Sequence, residues 1–325
     1  MERFFTMGTE HYQKVEKVPY EYRLRLLLTS KCMFKCGYCH NDGQRQFFPE
    51  VCTPDDYEHL FAAFNQEFGS KRVVLSGGEP LLREEVDEIA HRLHIAGAEI
   101  TLVTNGALLN RHRSMLKYLH KLHISLDTMD SELFNQICNT DAFEQVVDNI
   151  TFARRSRPSL RIKINSVLLR GINTQEQEIE KLLALGEKNQ AINCFIEKMS
   201  LREDPEFIDT DDFEKILIQM GLKLIDKNLL KATLSFGNNQ GRVELIRCFC
   251  PTAGKTIDPA TFCNVNNNTL FINPDRSINP CPHAPRLIDL DDGIYKKSID
   301  ILQKELRSVI NGLGFMCPLD RKFKI

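Results

Sequence analysis

Short β-branched or leucine-rich runs alternate with stretches of helical period over the first two hundred residues, and this predicts an α/β fold, a partial (β/α)6 TIM-like barrel. A cysteine group in the last hundred residues predicts a small C-terminal domain beside it. The strand-like runs are Tyr22 to Thr29, Arg72 to Leu75, Ile100 to Val103, Leu122 to Leu126, Arg161 to Leu168 and Ala191 to Glu197. Between them, helical spacing marks Pro54 to Phe68, Arg83 to Ala96 and Thr174 to Lys188. Parallel neighbours need crossover connections, so the alternation implies a parallel sheet wrapped by helices. The expected division is an N-terminal extension over 1–21, the barrel over 22–215 and the C-terminal domain over 216–325. In such folds the chemistry collects beyond the carboxyl ends of the strands, which is where the informative residues fall.

Composition narrows the class of partner. With 42 basic and 44 acidic residues in 325, the formal net charge of −2 gives no general pull toward a nucleic acid polymer, and a small-molecule substrate is the default. No apolar stretch reaches the roughly 18 residues of a membrane span. Met1 to Glu10 mixes charges with aromatics and lacks the apolar segment of a signal peptide, so the expected location is cytoplasmic. Eleven cysteines in a cytosolic chain point to metal rather than to disulfide bridges.

The first strand runs into Cys32, Cys36 and Cys39, spaced C-x3-C-x2-C, with Tyr38 just before the last. Four-iron clusters normally take four cysteine thiolates, so a three-cysteine loop leaves one iron open to another ligand. Zinc is the alternative, with His40 as a fourth ligand, although zinc usually pairs its cysteines as C-x2-C with a second pair further on. About forty residues later the second strand ends in Ser76-Gly77-Gly78-Glu79-Pro80. Two glycines let a backbone approach a ligand with no Cβ in the way, while the bland reading is a tight strand-to-helix turn. The third strand ends in Thr104-Asn105-Gly106 and the fourth in Ser125-Leu126-Asp127. Each alone is more often a cap or turn; in this order they form a set.

The cysteine loop and its downstream turns resemble the radical SAM superfamily, whose [4Fe-4S] cluster binds S-adenosylmethionine at the open iron and releases a 5'-deoxyadenosyl radical on reduction. The resemblance narrows to the GTP 3',8-cyclase family of molybdenum-cofactor biosynthesis. It is carried by Leu24-Arg25-Leu26, Leu75 to Arg83, Val103 to Gly106, Ile124 to Asp130, Ile162 to Val167 and Phe195 to Met199. It implies that Tyr38, Gly78, Ser125 and Met199 touch S-adenosylmethionine, and that Arg25 and Lys163 face the substrate. Gly77 and Glu79 join Gly78 at the methionine end, with Thr104, Asn105 and Ser125 as candidates for the carboxylate and ribose. Strand alternation places Arg161, Lys163 and Asn165 on one face, which suits a lumen lined for an anion. An external donor such as flavodoxin or ferredoxin would supply the electron.

Cys248, Cys250, Cys263 and Cys281 form the second group, the last following a segment from Thr269 to Pro280 that reads as a β-hairpin with a Pro-Asp turn. Such a hairpin resembles the twitch or SPASM-like segment of the same family, implying a second, auxiliary [4Fe-4S] cluster; a four-cysteine zinc site is the rival. Here the chain departs from the cyclase. Asn266 replaces the second cysteine of a pair, Asn267, Asn268 and Thr269 replace arginines, Val74 replaces a basic residue, and Cys194 replaces an arginine. Each charged hydrogen bond to phosphate is worth about 1.5 to 3 kcal/mol, so the expected substrate carries less charge than GTP. Arg25, Lys163 and Arg276 would hold one phosphate or carboxylate, Arg276 with the bland alternative of a solvated turn residue. The expected activity is hydrogen abstraction from a nucleotide- or nucleoside-like substrate, leading to cyclisation or rearrangement. The alternatives are the GTP cyclase proper, or a dehydrogenase or peptide-modifying enzyme using the auxiliary cluster as electron acceptor. The roughly twenty residues before the first strand are too few for a peptide-recognition domain. Cys52, Cys138, Cys194 and Cys317 read as ordinary thiols, and His123 and His283 as structural histidines or proton donors.

Overall fold

The computed structural model describes residues 22–39, 47–198, 204–228, 231–237, 241–247, 269–279, 288–289 and part of a helical turn within 300–306. Met199, Cys248, Cys250, Cys263, Cys281, His40, His283 and Cys317 lie outside the described residues.

Six strands follow one another in chain order: β1 (Arg23–Leu27), β2 (Arg72–Ser76), β3 (Glu99–Thr104), β4 (Leu119–Ser125), β5 (Arg161–Val167) and β6 (Ile192–Ile196). Each pairs in parallel with the next, as the alternation predicts. The crossovers carry α1 (Pro54–Phe68), α2 (Val86–Ile95), α3 (Ser131–Cys138), α4 (Phe143–Ser156) and α5 (Glu176–Lys188), with 3-10 turns at Pro80–Leu82 and Leu109–Tyr118. Along each strand one set of alternate residues is buried under the helices: Leu24 and Leu26, Val73 and Leu75, Ile100 and Leu102, Leu122 and Ile124, Ile162 and Ile164. Each such side chain contributes about 1.5–3 kcal/mol by leaving water. The other set, including Arg25, Thr101, His123 and Lys163, lines the lumen.

After α6 (Thr210–Gln219) come β7 (Lys223–Lys227), β8 (Lys231–Phe236) and β9 (Gly241–Ile246), an antiparallel meander whose last strand adds in parallel to β6. At the other edge β10 (Thr269–Ile272) adds in parallel to β1, followed by antiparallel β11 (Ser277–Asn279) and β12 (Ile288–Asp289). One sheet of order β12-β11-β10-β1-β2-β3-β4-β5-β6-β9-β8-β7 results, so residues after 216 extend the barrel at both edges. No helix among the described residues is long and apolar enough to cross a membrane.

Two expectations change in the structure. The helix predicted from Arg83 begins at Val86, because Arg83 is extended (φ −73, ψ 121) and its guanidinium reaches the Cys52 carbonyl (2.8 Å), Glu85 (2.7 Å) and Glu50 (3.5 Å). Arg276 sits in the predicted hairpin turn, but it is neither solvated nor aimed at a substrate. It is buried, with φ +69, and its Nη2 donates to Asp56 at 2.9 Å. Asp56 is itself fully buried and completes the capping box of Thr53 at the start of α1. The hairpin is thereby pinned to α1.

Candidate active site

The carboxyl ends of the strands open on a cavity of about 260 Å³. Its wall includes Arg25, Cys32, Cys36, Tyr38, Cys39, Gly77, Gly78, Thr104, Asn105 and Ser125, so ten of the residues singled out from sequence share one cavity. Lys163 lies lower in the lumen, and Glu79 stands behind the wall.

The cysteine loop is held by its own backbone and by the Gly-Gly turn. The Gly78 N–H donates to the Thr29 carbonyl (2.7 Å) and the Glu79 N–H to the Lys31 carbonyl (2.8 Å), continuing the β1–β2 pairing past the strand ends. A Cβ on Gly77 would stand 2.4 Å from the Thr29 oxygen, and one on Gly78 would stand 2.2 Å from the Lys31 oxygen. Gly77 also has φ +134, outside the range of ordinary side-chain-bearing residues. The glycines therefore admit the chain's own cysteine loop. From the other side Glu50 accepts from Thr29 (2.7 Å) and pairs with Lys31 (3.1 Å), while Val51 and Cys52 donate to the Pro274 carbonyl in the hairpin. The Lys35 N–H donates to the Cys138 carbonyl (2.9 Å), and Phe34 packs edge-on against Phe134 of α3 with ring centroids 6.0 Å apart.

Glu79 is fully buried. Its carboxylate accepts from the Leu81 N–H (3.0 Å), the Thr104 hydroxyl (2.7 Å) and the Asn105 N–H (2.7 Å). Burial still pushes its carboxyl up to about 6 against those three donors. The effect is to set Asn105, whose amide Nδ2 lies 3.0 Å from the Met33 sulfur and 3.9 Å from the Cys32 sulfur. Asp127 is buried likewise and pushed up to about 6 by desolvation; it accepts from the Tyr38 hydroxyl and from the Val167 N–H (2.8 Å). Burial and the neighbouring Asp127 charge together hold the Tyr38 hydroxyl far above its ordinary range, so it stays a donor.

Cys32 and Cys39 are exposed to the cavity and Cys36 is half-buried. Burial pushes the Cys32 thiol up to about 11, partly offset by the Phe34 N–H that donates to its sulfur at 3.4 Å. Among the described residues no three His, Cys, Asp or Glu side chains converge tightly enough to hold a single metal ion, while the three thiols line one cavity. Three soft donors on a loop with N–H groups aimed at sulfur fit an iron–sulfur cluster held at three corners. Sequence reasoning missed two neighbours. Cys138, the last residue of α3, is in hydrogen-bond contact with Cys36 and lines the same cavity, and no spacing marks it out. Asp127 was visible as a strand-end polar residue, but its bond to Tyr38 was not.

Below this cavity lies a second, of about 410 Å³, which shares Arg25 and Val103 with the first. Arg25 donates to the Ser76 hydroxyl (2.8 Å) and lies over the Phe271 ring, 5.7 Å from its centroid. Val74 lines this lower cavity and Cys194 is buried beside Asn165, at two of the positions where sequence reading found cations missing.

A family model for the radical SAM superfamily matches residues 26–183. A probable GTP 3',8-cyclase of Pyrobaculum aerophilum is 30% identical over 302 residues, 89% of this chain and 92% of that protein. Another, of Methanothermobacter marburgensis, is 28% identical over 291 residues, 86% of this chain and 91% of that protein. Among solved structures, SuiB of Streptococcus suis bound to S-adenosylmethionine superposes with a TM-score of 0.66 at 15% identity, over 91% of this chain and 68% of that one. The AdoMet-bound structure of anSMEcpe gives 0.55 at 15% identity, over 93% of this chain and 86% of that one. These two show a shared fold. The three-thiol loop, the turns that hold it and the relatives that match along nearly the whole chain place it as an enzyme of the radical SAM superfamily, in its GTP 3',8-cyclase-like family, whose chemistry rests on a [4Fe-4S] cluster and S-adenosylmethionine.

Proposed function

We propose that this enzyme abstracts hydrogen from a small nucleotide- or nucleoside-like substrate held in the barrel lumen, leading to cyclisation or rearrangement. When bound, the cluster and S-adenosylmethionine supply the 5'-deoxyadenosyl radical. The chain does the rest. Cys32, Cys36 and Cys39 hold the cluster; the edge at Gly77 and Gly78, with Thr104, Asn105 and Ser125, receives the cofactor; Glu79 positions Asn105. Tyr38, fixed on Asp127, closes one side of the cavity and limits water near the reacting atoms. Met199 is assigned to the cofactor by resemblance alone. Arg25, at the wall common to both cavities, and Lys163 below it face the substrate. The observation that carries this reading is that the thiol-lined cavity and the cation-lined cavity share a wall at Arg25.

We assign Cys248, Cys250, Cys263 and Cys281, in a C-terminal domain from 216, to a second [4Fe-4S] cluster. A flavodoxin- or ferredoxin-type donor and a cytoplasmic location complete the reading. It is tested by anaerobic iron and sulfide analysis of the wild type beside the Cys32/Cys36/Cys39→Ala variant, with 5'-deoxyadenosine measured after dithionite. The wild type should hold about twice the iron of the variant and alone form 5'-deoxyadenosine. Formation that no added nucleoside or nucleotide stimulates would turn the substrate assignment toward the dehydrogenase or peptide class.

A further inference from the structure

Among the described residues, the charged side chains that line the amino-terminal mouth of the barrel are mostly basic. The 410 Å³ cavity is lined by six lysine and arginine side chains against two carboxylates, Glu99 and Glu244. The imbalance has a regular origin. Lys121 on β4 lies in register beside Arg161 on β5, and one lumenal step higher His123 lies beside Lys163, so like-charged or basic residues are direct cross-strand neighbours. Such pairs are destabilising when nothing lies between them.

The charges are not equivalent. Lys163 and Lys231 both bind Glu244, Lys231 at 2.6 Å to Oε1 and Lys163 to Oε2. Burial works against the Glu244 charge, and the two lysines outweigh it and hold the carboxyl below its usual range. Lys163, read from sequence as a substrate contact, is thus already engaged by a carboxylate of the chain. Arg161 donates to His120 (2.7 Å) through one guanidinium nitrogen and lines the cavity. Lys121 has neither an ion pair nor a hydrogen bond among the described residues. Burial first, then the Arg161, Arg72 and Lys163 charges, pull its ammonium below the ordinary lysine range. At roughly 3.3 Å per residue, Lys121 lies about 13 Å along β4 from Ser125 at the upper cavity. Arg23, Arg72 and Arg161 at this end are exposed.

We propose that the amino-terminal mouth is a site for a single phosphate group, with Lys121 and Arg161 as its main donors, and that Glu244 shuts further phosphates out of the lumen above it. A planar guanidinium and a point-charge ammonium side by side suit a tetrahedral oxyanion. A polyphosphate reaching upward from this site meets the Glu244 carboxylate in place of a free Lys163. The inference rests on reading the lumen as the substrate channel and deepens it: the substrate carries one phosphate, at the end remote from the radical. Here the chain replaces the cations lost at Val74 and Cys194 with an inner carboxylate and an outer anion site.

The test uses reconstituted holoenzyme, without nucleotide, titrated anaerobically with inorganic phosphate and tripolyphosphate and read by the ligand-induced rise in melting temperature. Phosphate should bind the wild type and Lys121→Arg alike and bind Lys121→Met at least tenfold more weakly. Tripolyphosphate should gain little over phosphate in the wild type and at least tenfold in Glu244→Gln. Far-UV circular dichroism and cluster absorbance establish that each variant is folded and loaded. Phosphate affinity unchanged in folded Lys121→Met, no phosphate binding by the wild type, or a strong wild-type preference for tripolyphosphate that Glu244→Gln leaves alone would each overturn the proposal. The reading of the reaction fails separately, by an absence of 5'-deoxyadenosine.

Discussion

At the carboxyl mouth of the barrel, Glu79 divides its carboxylate among Leu81, Thr104 and Asn105, Asp127 takes Tyr38 and Val167, and Arg276 reaches from a distant hairpin to Asp56. At the amino mouth, Lys121 stands beside Arg161 with no ion pair among the described residues. The first end is a frame of buried polar groups that find their partners within the chain; the second is a charged vestibule. Buried groups without partners cost more than exposed ones, so the end that must hold a loop in one geometry is the end where the hydrogen bonds close on themselves. Excess charge near water costs less and remains available to a ligand.

That contrast can be broken first at Gly78. Gly78→Ala would drive a Cβ into the Lys31 carbonyl, 2.2 Å away in the present backbone, and displace the loop that carries the thiols. A loss of about 5 kcal/mol and failure to load iron are expected, measured by denaturant unfolding and iron analysis; a folded, loaded variant would show that the loop is not held by the turn. Next is Arg276→Met, which leaves Asp56 charged and buried. Removing one partner of a buried pair costs about 4 kcal/mol, whereas Lys121→Met at the other mouth should fall within about 0.5 kcal/mol. Equal losses from the two substitutions would erase the distinction between the ends.

A smaller loss than either buried-frame substitution is expected in the pH dependence. The Asp127 carboxyl is raised by burial to about 6, so the folded state takes up its proton before the unfolded chain does. Its contribution is fully present below an unfolded value of about 4 and is lost as pH rises through about 6, which amounts to roughly 3 kcal/mol. Asp127→Asn should therefore gain stability relative to the wild type on going from pH 4 to pH 7. Parallel stability curves for the two proteins would mean that Asp127 is not isolated from water behind Tyr38.

The alternating strands were legible because lumen and helix layer demand opposite side chains, so Ile162, Ile164 and Arg161, Lys163 announce their faces. Other features were not. β4 begins at Leu119 rather than Leu122, since the polar pair His120 and Lys121 is brought into the strand by pairing with β3 and β5. Arg83 starts no helix because Glu50 and the Cys52 carbonyl hold it extended.

The residues near Cys32, Gly77, Asn105 and Ser125 determined the family and half of the residues that line the upper cavity, because each motif is short and sits at a strand end that local pattern can locate. Tertiary structure alone decided that Arg276 belongs to Asp56, that Cys138 lies against Cys36, and that Glu244 pairs with Lys163. Those partners are between 81 and 220 residues apart or, for the cysteines, on different elements. Electrostatic and packing energies depend on distance in space, and no local spacing encodes it.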